Sequence, residues 1–154
     1  MTEPDTDRPL DAEMRGIARN MERRTDPGPT ALTVAIAVLV LLVSLALPWT
    51  GPVPGWEVLA GLHPELGVLP RLFTFTAVGV GVVGSALALS TRWWALAWMC
   101  AVGSGISVVT GVWAIWSRQT VVLQGGSGPH IGLVLAVITT VVLAASWSRI
   151  ALRR

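Results

Sequence analysis

Lysine and tyrosine are absent from this 154-residue chain, cysteine occurs once, and charged residues make up only 13%. A typical soluble domain carries about 25% charged residues. The lone Cys100 excludes an intramolecular disulfide, and its apolar sequence neighbours mark it as a buried, inert thiol. All eleven basic side chains are Arg, a compositional bias with little functional weight. The formal charge of +2 is small and mixed with acids, which argues against a nucleic-acid partner. Seven of the nine acids precede residue 27; the other two are Glu57 and Glu65.

What is present is apolar. Hydrophobic residues reach 53%, and mean hydropathy is +0.65. Four stretches, 31–49, 72–89, 93–116 and 131–147, contain no Asp, Glu, Lys, Arg or His. Each is near the ~20 residues that cross a bilayer as a helix. Backbone groups in lipid must bond internally, so helices are expected, and the absence of alternation argues against a barrel. The fold class expected is all-α: an integral membrane four-helix bundle with an amphipathic N-terminal cytoplasmic helix. Residues 1–29 form the leader, 30–150 the bundle and 151–154 the tail. The first stretch follows a long acidic leader, so it reads as a retained helix rather than a cleaved signal.

Arginine placement sets an orientation. Arg8, Arg15, Arg19, Arg23, Arg24, Arg92, Arg149, Arg153 and Arg154 fall on one side, and only Arg71 and Arg118 on the other. This bias predicts a multi-pass plasma-membrane protein with both termini cytoplasmic. The eight Trp residues fall near the ends of the stretches or in the first long connection, as interfacial anchors would. The short link Ser90-Thr91-Arg92 makes the second and third helices antiparallel neighbours. Gly103, Ser107 and Gly111 form a small-residue stripe suited to close helix packing. In the leader, Leu10, Met14, Ile17 and Met21 line one helical face beside arginines, a pattern suited to an interfacial helix.

Candidates for chemistry are few. His63, His130, Glu57 and Glu65 fall in the two connections assigned to the outer side, but their spacing matches no zinc pattern. No catalytic, cofactor-binding or metal-ligating residue is therefore assigned. Leu47-Pro48-Trp49-Thr50-Gly51 has the form of a sortase signal in the wrong context; a helix end and a turn explain it. Ser and Thr are the only polar groups inside the stretches, which disfavours a proton relay. Glu57 or Glu65 is expected to pair with Arg71, and Arg118 with the other acid, so that both connections join in one cap.

Asp26-Pro27-Gly28, Leu47-Pro48-x-Thr50-Gly51, Gly55-Trp56-x-Val58-Leu59-x-Gly61 and Trp116-Ser117-Arg118-Gln119-Thr120 give the chain a recognisable profile. It resembles a family of small four-span membrane proteins of actinobacteria, mycobacteria included, that has no assigned activity. That resemblance implies a plasma-membrane location and supplies no catalytic residues. The function expected is non-enzymatic: a structural or accessory protein binding other envelope components. A small-molecule or lipid carrier is the alternative. The partners expected are the lipid bilayer and a membrane protein or second copy, with no nucleic acid.

Overall fold

The computed structural model describes residues 28–152. The amphipathic leader helix expected around residues 10–21 lies outside the described residues, as do Arg153 and Arg154. Four long helices are present: α1 (Gly28–Ala46), α3 (Val68–Thr91), α4 (Trp94–Val122) and α5 (Ile131–Leu152). A short helix, α2 (Gly55–Ala60), and a two-stranded ribbon, β1 (Pro48–Thr50) with β2 (Val53–Pro54), sit between α1 and α3. The all-α class is as expected. All four long helices are long and apolar enough to cross a membrane.

Local chemistry sets the boundaries. Pro48 cannot continue α1, and the chain enters the ribbon, where Gly51 turns with φ 58°. Gly61 closes α2 in the left-handed region, and its N–H bonds back to the Val58 carbonyl. Arg92 takes φ 53° in the two-residue break between α3 and α4, which places those helices side by side. α4 runs past Trp116 through Ser117, Arg118, Gln119 and Thr120 to Val122, six residues beyond the apolar stretch. α3 begins at Val68, four residues before its apolar stretch, and carries a π segment, Ala77–Gly84, in its middle.

α5 is the most covered helix, packed against α1 and α4, while α4 also packs on α3. The core holds Val34, Leu41, Phe73, Leu133 and Leu143. The small-residue stripe of α4 points inward, as an internal bundle requires. A Cβ on Gly103 would lie 2.8 Å from Val80, and one on Gly111 2.8 Å from both Phe73 and Val137. The buried Thr140 hydroxyl bonds to its own helix at the Ala136 carbonyl (2.7 Å), and the half-buried Thr76 hydroxyl donates across helices to the buried Ser107 Oγ (3.1 Å).

Two tryptophans depart from the expected interfacial position. Trp49 is fully covered, and its indole N–H donates to the Ser44 carbonyl at 2.8 Å. Trp147 is buried and donates to Ser85 Oγ at 2.9 Å. Both indole N–H groups find acceptors inside the fold, so neither needs an interface. Trp93, Trp113 and Trp116 remain exposed.

Candidate functional site: a histidine clasp and a buried arginine

The C-terminal ends of α1 and α4 and the N-terminal ends of α3 and α5 meet at one end of the bundle. The connections there form a cap. β1 anchors it: Trp49 packs on Phe73 with ring centroids 5.5 Å apart, and the Trp49 carbonyl accepts the His130 N–H at 2.8 Å. Thr50 bridges to Pro129, which ties the first connection to the second.

Three of the four sequence candidates come together in this cap. The Gly61 turn and the 3-10 turn Pro64–Leu66 bring Glu57 and Glu65 to opposite sides of His63. His63 Nε2 lies 2.8 Å from Glu57 Oε2, and Nδ1 lies 2.7 Å from Glu65 Oε1. A neutral imidazole can donate from only one nitrogen, so an acceptor on each side favours the protonated ring. The Glu65 and Glu57 hydrogen bonds, in that order, raise the His63 pKa above its usual 6.5. Glu65 is lowered from 4.5, first by its own backbone N–H and then by His63. His130 is exposed and stands apart from the clasp. Among the described residues, no group of three or more His, Cys, Asp and Glu is placed to hold a metal ion.

The arginines do not pair with these acids as the sequence suggested. Arg71 sits over the Phe75 ring, 5.6 Å from its centroid, and lies against Gly61. Both acids are engaged by His63 instead. Arg118 does join the two connections, but through carbonyls. Its Nη2 donates to the Ser127 carbonyl at 3.0 Å, and Nη1 reaches the Leu66 carbonyl at 3.5 Å. Arg118 is 7% exposed, and its Nε has no hydrogen-bond partner. It lines a cavity of about 240 Å³ with the first turn of α3, Glu65, Ser117 and Val121. Sequence reasoning gave Arg118 an acidic partner, where the structure gives it carbonyls. The continuation of the helix carries it inward.

The family model for the MiaB C-terminal domain matches residues 11–154. A Mycobacterium avium protein named tRNA-2-methylthio-N(6)-dimethylallyladenosine synthase is 43% identical over 145 residues, which cover 92% of this chain and 20% of the relative. The chain thus spans about a fifth of that relative's length. No solved structure matches.

These matches correct the sequence reading. The actinobacterial family of unassigned membrane proteins gives way to the matched family. The non-enzymatic assignment, whether envelope component or small-molecule or lipid carrier, is overturned by a relative named as a synthase. The partner set read from composition, a bilayer and a membrane protein or second copy to the exclusion of nucleic acid, is overturned because that name specifies tRNA. The plasma-membrane location with cytoplasmic termini rested on the same reading and falls with it. The reason is physical: apolar helices report the environment their side chains prefer and carry no group that marks a reaction or a substrate.

Proposed function

Since the chain belongs to the MiaB C-terminal domain family, we propose that it works in tRNA modification. The step is the one its relative is named for, formation of 2-methylthio-N(6)-dimethylallyladenosine. The observation that carries this reading is 43% identity along 92% of the chain. The matched part is a fifth of the relative, so the chain acts as one module of such an enzyme, a helical bundle that seats the modifying machinery. The tRNA is the substrate of the whole.

The same proposal includes a finer form of the fold: the bundle spans a membrane. The distribution of polarity supports it. Met99 is 68% exposed and Leu39 62%, whereas Ser44, Thr74, Ser85, Ser107 and Thr140 are fully covered. Exposed large apolar side chains occur on all four long helices, among them Ile36, Leu87, Val109 and Ile138, and exposed apolar surface of this kind marks an interaction surface. In lipid, large apolar side chains face outward without penalty, and small or hydroxyl-bearing residues mediate helix contacts. The division into 1–29, 30–150 and 151–154 goes with this form.

The test is enzymatic. The full chain is isolated in a mild maltoside detergent from cells that make it, and the eluate is assayed on tRNA carrying N(6)-dimethylallyladenosine. Formation of the 2-methylthio product in the eluate is expected. An inactive eluate from a lysate that retains the activity contradicts the proposal.

A further inference from the structure

The cap contains a buried cation without a carboxylate partner. Arg118 is the only charged side chain among the described residues that is buried. Its two hydrogen bonds are to neutral carbonyls, one of them long at 3.5 Å, and its Nε has no partner. A guanidinium has five N–H donors, and burying a cation is costly unless it is paired. The cavity beside it supplies the room a counter-ion needs, since a water molecule occupies only about 30 Å³ of liquid.

The opposite wall of that cavity is the start of α3. Gly67, Val68, Leu69 and Pro70 all line it. The first N–H groups of a helix have no intrahelical acceptor, and the helix dipole is positive there. No side chain caps this end; the Gly67 N–H is already bonded to the Pro64 carbonyl and Pro70 has no N–H, which leaves the N–H groups of Val68 and Leu69. The Val68–Thr91 helix is 24 residues long, ample for a dipole at its first turn. Glu65 also lines the cavity, but its carboxylate is engaged by His63 at 2.7 Å.

We propose that Arg118 and the first turn of α3 form a binding site for a phosphate-type oxyanion. The chemistry is that of a guanidinium and the first backbone N–H groups of α3 lining one small cavity, with two or more oxygens of one anion shared between them. The anion is either a free phosphate or the phosphate of a lipid headgroup, since the site opens at the end of the helices. This inference does not depend on the tRNA reading.

The test uses the full chain in a phosphorus-free maltoside detergent with two probes. Equilibrium dialysis with radiolabelled inorganic phosphate reads the free-anion arm. A thermal-stability titration with short-chain phosphatidic acid, against its neutral diacylglycerol, reads the headgroup arm. Saturable binding in at least one arm is expected, weakened about tenfold or more by Arg118→Gln, as loss of a charge-assisted bond implies. Phosphate binding identifies the free anion as a ligand, and a response to phosphatidic acid alone identifies the headgroup. If R118Q does not fold, Val121→Trp, which fills the cavity and leaves Arg118 in place, makes the same comparison. Absence of saturable binding in both arms overturns the site, and so does binding that either folded variant leaves unchanged.

Discussion

The indole N–H of Trp147 on α5 donates to the hydroxyl of Ser85 on α3 at 2.9 Å, with both residues buried. The two lie 62 positions apart in sequence. The bond satisfies the donor that an interior Trp must place, and it pins the end of the bundle opposite the cap. Ser85→Ala leaves a buried N–H without an acceptor, which costs about 1–3 kcal/mol. Trp147→Phe in the S85A background should then cost less than it does alone. Thermal unfolding in detergent of the two single variants and the double variant checks this coupling.

Glycine positions separate close contacts from open surface. A Cβ on Gly132 would meet the Pro48 carbonyl at 2.8 Å, and that backbone cannot rotate away. Gly111 would press on Phe73 and Val137. Gly132→Ala and Gly111→Ala should each destabilise by ~1–3 kcal/mol, as overpacking does. A methyl group on Gly105 would have no neighbour within 4 Å, so Gly105→Ala should be neutral or stabilising by up to ~1 kcal/mol. Melting temperatures of the three variants rank them.

The clasp should give the cap a pH dependence with a defined sign. His63 is raised above 6.5, so its contribution is fully present below 6.5 and is lost as pH rises through the raised value. Glu65 is lowered from 4.5, so its contribution is present above 4.5 and is lost as pH falls through the lowered value. The clasp is therefore most stabilising between 4.5 and 6.5. His63→Gln should flatten the stability profile on the alkaline side of that window. Protease nicking of the first connection, followed across pH, reads the cap locally.

Glu57 should couple to His63 and not to Arg71. In double-mutant cycles, Glu57→Gln with His63→Gln departs from additivity, whereas Glu57→Gln with Arg71→Gln adds simply. The structure reverses the pairing read from sequence because Arg71 is taken up by Phe75 and the Gly61 turn.

The helices were legible because charge is missing from four long runs and the residues between them break helices. Pro48 and the Ser90-Thr91-Arg92 link marked ends that the structure keeps within a few residues. The inward stripe of Gly103, Ser107 and Gly111 was legible from spacing alone. The burial of Trp49 and Trp147 was not, because an indole near the end of an apolar run looks the same whether its N–H meets solvent or Ser44 and Ser85. The clasp was legible as a set of residue types but not as a geometry. The left-handed turn at Gly61 and the 3-10 turn after His63 decide which groups meet. Arg118 was given an acidic partner because the sequence shows the two acids of the first connection but not the carbonyls of Leu66 and Ser127 that the continued helix brings to it. The family was not legible in any single residue, since the bundle carries no group that names a reaction.

If this chain serves tRNA modification, its loss must change the nucleosides of tRNA. Bulk tRNA from cells lacking the chain, and from the same cells with it restored, is digested and quantified by mass spectrometry. Without the chain, 2-methylthio-N(6)-dimethylallyladenosine should fall several-fold and N(6)-dimethylallyladenosine should accumulate, and restoration should reverse both. Unchanged levels of both nucleosides in cells confirmed to lack the chain would contradict a role in this modification.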